Sequence, residues 1–173
     1  LAVPDAAVRA TARARQAQLT KPPGSLGRLE ELGITLAALQ GNARPRLDTP
    51  WITVFAADHG VVAEGVSADP QVVTAEMVRN FARGGAAISV LARTWNARLE
   101  VVNVGTVHPL EDLPGVLDNR VGPGTANLAQ GPAMSAAPLH AALTAGHAAA
   151  ERAAIGGAHL FLGGEMGIRT PTS

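Results

Sequence analysis

The residues best placed for chemistry cluster where an apolar run, Ala158-His159-Leu160-Phe161-Leu162, meets Gly163-Gly164-Glu165-Met166-Gly167-Ile168. An apolar run that stops at paired glycines and one carboxylate is the pattern of a parallel strand leaving its sheet to line a ligand crevice. Glu165 is the leading catalytic candidate, because a carboxylate there can hold ribose hydroxyls, stabilise a developing cationic sugar or take a proton. Gly164 and Gly167 let a ligand approach the backbone, and the amides of Met166, Gly167 and Ile168 can cradle a phosphate if a helix begins just after them. Pro171 removes one amide and no helix follows within the chain, so a phosphate site here is incomplete or completed elsewhere.

Two earlier apolar runs end in the same way, at Ala57-Asp58-His59-Gly60 and at Asn103-Val104-Gly105-Thr106, so three polar loops are expected to converge on one sheet edge around a shared hollow. Asp58 beside His59 can act as a base, as a pair of metal ligands, or as a hydrogen-bonded brace for the loop. Neighbouring residues on a strand point to opposite faces, so both grip one metal only if the chain bends. His108, Glu111, Asp112, His140 and His147 add no close ligand spacing, and no metal is expected. His140 and His147, seven apart, read as a partly buried polar pair.

Further along, Asp69 before Pro70 suits the start of a helix, while Ser67, Gln71 and Thr74 either serve that helix start or bond a heteroaromatic ligand. The stretch Arg120-Val121-Gly122-Pro123-Gly124-Thr125-Ala126-Asn127 has two readings. Glycine-freed amides with the charge of Arg120 and the donor of Thr125 suit phosphate or ribose; the alternative is a solvent turn. It matches neither the Walker loop nor the dinucleotide fingerprint.

The elements that must position these residues read as α/β: a Rossmann-like parallel sheet with helices on both faces, preceded by an N-terminal helical segment. Residues 1–45 form that segment and 46–173 an incomplete parallel domain. A first helix spans about Asp5 to Leu19 and stops at Pro22-Pro23. A second, capped by Ser25, runs from Leu26 to Gln40 with Leu29, Leu32, Leu36 and Leu39 on its packing face and Gly41 as its stop. After a linker from Asn42 to Pro50, strand Trp51 to Ala57, helix Gln71 to Thr94, strand Leu99 to Val104, helix Ser135 to Ala154 and strand Ala158 to Leu162 describe two parallel crossovers. Gly84-Gly85 interrupts the first crossover helix, most simply to permit close helix–sheet packing. The connection His108 to Met134 is long enough to be functional or to pair with another chain.

At 173 residues and 47% hydrophobic, the chain can bury one core. Fourteen basic residues balance 14 acidic ones and no basic stripe alternates with aromatics, so no nucleic-acid partner is expected. Absence of cysteine removes disulfides, thiolate catalysis and thiolate metal sites, and fits a cytoplasmic protein. No run approaches the roughly 20 apolar residues of a membrane span, so no membrane partner is expected. The chain opens on Leu1 rather than methionine, which suggests that sequence precedes it.

Five ordered motifs then identify a resemblance: Thr20-Lys21-Pro22-Pro23-Gly24-Ser25-Leu26-Gly27-Arg28-Leu29-Glu30; Ala57-Asp58-His59-Gly60-Val61 with Gly65-Val66-Ser67; Gly84-Gly85-Ala86-Ala87-Ile88; Gly124-Thr125-Ala126-Asn127 with Pro132-Ala133-Met134; and Gly164-Glu165-Met166-Gly167-Ile168. Over nearly the whole chain they resemble the nicotinate-nucleotide–dimethylbenzimidazole phosphoribosyltransferases of cobalamin biosynthesis, and cover the N-terminal half of that family. The resemblance implies transfer of phosphoribosyl from nicotinate mononucleotide to 5,6-dimethylbenzimidazole by a homodimer without cofactor or metal. It implies a nucleotide site around Glu165 with its glycines, and a base pocket near Ser67 to Thr74 and Met77. It puts the general-base glutamate in the second half, beyond Ser173. Arg169-Thr170-Pro171 stands where the family continues Gly-Asn-Thr, as in a truncated or frame-shifted end, and Asn103 stands where the family more often has aspartate.

Overall fold

The computed structural model describes residues 3–168, so the tail Arg169 to Ser173 and the opening residues Leu1 and Ala2 lie outside the described residues. The chain divides into two compact units, residues 1–47 and 48–173.

The first unit is a helical pair, α1 (Ala6–Gln18) and α2 (Arg28–Gln40). Asp5 caps α1, its Oδ1 accepting the amides of Ala7 at 2.8 Å and Val8 at 3.0 Å. Two expectations fail in α2. Ser25 does not cap it; Gly27 takes the cap position at φ 54°, and Glu30 reaches back to accept the Leu26 amide and Lys21 Nζ. The leucine stripe is not the packing face either. Ala12, Ile34 and Ala37 form the buried seam, whereas Leu29 and Leu32 are 65% and 57% exposed. Small residues at 37 and 38 let the two helices approach closely, which the bulkier leucine face does not permit. Gly41 ends α2 as expected, in the left-handed conformation with its amide bonded to Ala37 O.

The second unit is a four-stranded, wholly parallel sheet in the order β3-β2-β1-β4, with β1 at Pro50–Ala57, β2 at Arg98–Gly105, β3 at Val116–Asp118 and β4 at Leu160–Met166. Alternation along β1 sorts the faces. Ile52, Val54 and Ala56 pack with Val78 and Phe81 of α3 (Val72–Arg83), Ala92 of α4 (Ala87–Thr94) and Val101 of β2. On the opposite face Thr53 Oγ1 donates to Glu100 Oε1 at 2.9 Å, and Arg152 of α5 (Ala136–Ile155) donates to the same carboxylate at 2.9 and 3.2 Å. Helices therefore cover both faces. The central strands β1 and β2 are buried and mostly β-branched or apolar, as strands covered on both sides require, whereas β3 and β4 at the margins are largely exposed.

Three elements differ from expectation. The long crossover helix is two helices, because Gly84 takes φ 79° and ends α3, its carbonyl then bonded by Arg93 Nη1 at 2.9 Å. The glycine pair is thus a helix stop rather than a contact surface for the sheet. A three-residue strand, β3, lies inside the long connection and pairs with Val101, Val102 and Asn103. Most consequentially for the site, β4 does not end at Leu162. Gly163, Gly164 and Glu165 pair with Thr53, Val54 and Phe55, so Glu165 sits within the strand. As the outermost strand, β4 leaves Phe161 and Leu162 38% and 41% exposed.

Candidate functional site

The three strand tips are neighbours. Ala57 of β1 pairs with Gly105 of β2, and Ala56 with Met166 of β4, so Asp58, Gly105 and Glu165 emerge along one edge of the sheet. Asp58 and Gly105 are buried there, whereas Glu165 is exposed on the rim.

Asp58 is fully buried and acts as a brace. Its Oδ2 accepts the Val107 amide at 2.8 Å and its backbone amide donates to Gly105 O at 2.9 Å, which locks the β1 tip to the β2 tip. Its Oδ1 has no partner among the described residues. Asn103, at 1% exposure, plays the matching part on β2: Oδ1 accepts the amides of Gly105 at 3.2 Å and Thr106 at 3.0 Å, while Nδ2 donates to Asp118 Oδ1 at 3.3 Å. The amide is what allows the side chain to face a carboxylate; an aspartate at 103 would set two negative charges together.

His59 follows Asp58 and pairs with Thr125 as an isolated parallel bridge. Its ring Nδ1 lies 3.4 Å from Thr125 Oγ1 and its carbonyl accepts from Gln71 Nε2 at 3.1 Å. Burial pushes the imidazole below its ordinary pKa, against the opposing charges of Asp58 and Glu165.

The Gly122–Asn127 loop folds onto the β1 tip rather than into solvent. Thr125 N–H donates to Asp58 O at 3.1 Å and Gly60 N–H to Thr125 O at 3.1 Å. A side chain is excluded at both contact points: a Cβ on Gly124 would lie 2.9 Å from Asp58 O, and one on Gly60 2.7 Å from Asn127 N. Asn127 Nδ2 donates to Glu64 Oε1 at 2.6 Å, tying the loop to the short 3-10 helix Gly60–Glu64. Gly122 lies where a Cβ would only graze Gly124 O at 3.9 Å, and Arg120 is exposed beside the tips.

The remaining expected residues separate into two groups. Gln71 reaches the site through its bond to His59, and Met166, Gly167 and Ile168 follow Glu165. Thr74 is fully buried and its hydroxyl accepts the Ile168 amide at 3.2 Å, so it fastens the end of β4 to α3. That bond occupies one of the amides expected to cradle a phosphate. Met77 packs against the core. Ser67 Oγ accepts the Asp69 amide at 3.1 Å, and Asp69 caps no helix: α3 begins at Val72 with no side-chain cap. His140 and His147 do not form a partly buried pair; His147 is 76% exposed and meets Glu151 at 3.2 Å. Among the described residues no cluster of His, Asp and Glu is placed to hold a metal ion, and no helix is long and apolar enough to cross a membrane. Sequence reasoning missed Val107 and Thr125 as the partners that fix Asp58 and His59, since each bond spans dozens of residues.

Two concavities of about 350 Å³ lie wholly within residues 13–35 of the helical unit. A third of about 240 Å³ opens beside Asn103 and Asp118. None of these three is lined by Glu165; the carboxyl ends of β1, β2 and β4 form a ledge of their own.

Polar loops gathered at the carboxyl edge of a parallel α/β sheet are where this architecture takes nucleotides. A family model described as phosphoribosyltransferase matches residues 1–173, which sets the class. The chain belongs to the nicotinate-nucleotide–dimethylbenzimidazole phosphoribosyltransferase family. A relative of that name from Pseudomonas aeruginosa (strain LESB58) is 59% identical over 98% of this chain, and one from Xanthomonas euvesicatoria pv. vesicatoria (strain 85-10) is 58% identical over 99%. The crystal structure of the nicotinate-nucleotide–dimethylbenzimidazole phosphoribosyltransferase from Thermus thermophilus superposes with a TM-score of 0.90 at 55% identity, covering 97% of this chain and 51% of that one. The chain spans about half the length of the curated relatives it matches, 48% and 49% for the Pseudomonas and Xanthomonas proteins.

Proposed function

We propose that this chain supplies the nucleotide-binding part of a phosphoribosyl transfer from nicotinate mononucleotide to 5,6-dimethylbenzimidazole, giving α-ribazole 5′-phosphate and nicotinate in cobalamin biosynthesis. The observation that carries the reading is the side-by-side placement of the β1, β2 and β4 tips, which sets Asp58 and His59 at the end of β1 beside Glu165 on β4. In the reaction the bond from ribose C1′ to the nicotinate nitrogen breaks and a bond from C1′ to a benzimidazole nitrogen forms. Positive charge develops on the sugar, which a carboxylate at Glu165 stabilises; the proton on the other benzimidazole nitrogen passes to a base. That base is expected beyond Ser173. Asp58, His59 and Thr125 shape the ledge and Gly122, Gly124 and Arg120 border it; the family resemblance assigns Gln71, Ser67, Thr74 and Met77 to the base acceptor, Thr74 and Met77 from positions packed in the core.

A second reading is a non-catalytic nucleotide-binding or assembly module of the same fold. An assay of nicotinate release with both substrates separates the two. Release that depends on dimethylbenzimidazole supports transfer, whereas protection against thermal unfolding by nicotinate mononucleotide without release supports the module. A cytoplasmic homodimer is part of the proposal, and light scattering at twice the monomer mass tests the assembly.

A further inference from the structure

β4 is a weakly secured strand until its last residues. It lies outermost in the sheet, pairs only with β1 among the described residues, and passes through Gly163 and Gly164, which have no side chain to hold it. A Cβ at Gly163 would meet nothing within 4 Å, so the strand is open there. The anchors come after Glu165. Met166 packs against the core that Val78 and Phe81 of α3 help to form. Two residues on, Ile168 is 8% exposed and its amide donates at 3.2 Å to the hydroxyl of Thr74, which is fully buried in the first turn of α3. Side chains alternate along a strand, so packing Met166 against the core turns Glu165 to the opposite face, where it stands exposed.

We infer that Thr74 is a positioning residue of the nucleotide site: it touches no substrate, and through the Ile168 amide it fixes the end of β4 that carries Glu165. The inference rests on the proposed role of Glu165 in nucleotide binding. With no exposed surface, the Thr74 hydroxyl is closed to a ligand, so it serves the site through the backbone rather than by contact with the base acceptor. A buried amide stripped of its acceptor is costly to keep dry, and an outermost strand is the part of a sheet that opens most cheaply. Without the bond, the end of β4 loosens and the carboxylate has to be ordered at the moment of binding. With it, that ordering is already done, which favours the bound state.

Two measurements on the 173-residue chain test this. Coupling between the Thr74–Ile168 bond and the nucleotide is reciprocal, so bound nicotinate mononucleotide is expected to slow hydrogen exchange at the Ile168 amide of the wild-type chain about tenfold. Exchange that bound nucleotide leaves unchanged overturns the inference. This comparison needs no variant, so it decides the matter even where a variant fails to fold. Calorimetry then compares variants. Thr74→Ser, which keeps the hydroxyl, is expected to bind nicotinate mononucleotide as the wild type does, and Thr74→Val about tenfold more weakly, the worth of one buried hydrogen bond. In a Glu165→Gln background Thr74→Val is expected to add little, because both changes remove the same contact. A folded Thr74→Val chain that binds like the wild type, or losses that simply add, overturns the inference and leaves nucleotide binding standing; no binding by the wild type overturns both.

Discussion

The backbone of Gly124 lies against the carbonyl of Asp58 so closely that a Cβ at residue 124 would stand 2.9 Å from Asp58 O and 3.3 Å from Asp58 Cβ, at φ 87°. The loop and the strand tip are one packed unit, and the glycine is required twice over, by space and by backbone sign. Gly124→Ala is expected to lower stability by about 2–4 kcal/mol, from left-handed strain and overpacking together. Thermal or urea unfolding checks it, and an unchanged midpoint would show that the loop does not seat on Asp58.

A second test concerns the buried ion pair beneath the sheet. Glu100, 7% exposed, is held by Thr53 Oγ1 and the Arg152 guanidinium. Burial works to raise its pKa, but the hydrogen bonds from Arg152 and Thr53 outweigh it and the carboxyl ends below its ordinary value. Arg152→Met leaves the carboxylate buried with Thr53 alone and is expected to cost about 3 kcal/mol. Replacing Glu100 by Gln in the same background should recover part of that loss, since it removes the stranded charge. Urea denaturation of the single and double variants measures both.

Acid sensitivity provides a third. The Arg79 guanidinium donates to Glu111 at 2.9–3.1 Å and holds its carboxyl at about 2, well under the ordinary 4.5. Because the folded-state value is depressed, the stabilisation is fully present above the ordinary value and is lost as pH falls from there towards about 2. Glu111→Gln is expected to flatten the dependence of unfolding free energy on pH across that window without altering its course near neutrality. Chemical denaturation at stepped pH reads the slope; identical slopes for variant and wild type would contradict the pairing.

Much of the sheet is legible in the sequence because a parallel strand buried on both faces is written mostly in apolar residues, as in Trp51 to Ala57, broken by Thr53, and Leu99 to Val104, broken by Glu100 and Asn103, whose polar groups find partners across the fold. β4 is half legible. Leu160 to Leu162 announce it, but Gly163 and Gly164 carry no side chain to signal a strand, and only pairing with Thr53 and Val54 holds them extended. For the same reason Glu165 reads as a loop residue and stands in the strand. In the helical unit, four leucines at helical spacing suggest a packing face, whereas close approach selects Ile34 and Ala37. At the site, the residue types at Asp58, His59 and Glu165 can be read one by one. Their partners cannot, since Val107 lies 49 and Thr125 66 positions from the groups they hold; such bonds follow from topology rather than from local pattern.

The central claim is that the ledge at the β1, β2 and β4 tips binds a nucleotide through Glu165. Calorimetric titration of nicotinate mononucleotide into the wild-type chain and into Glu165→Gln tests it most directly. Weak binding to the wild type and roughly tenfold weaker binding to the variant are expected, the loss of a charge-assisted hydrogen bond. Equal affinity for the two chains would contradict the claim.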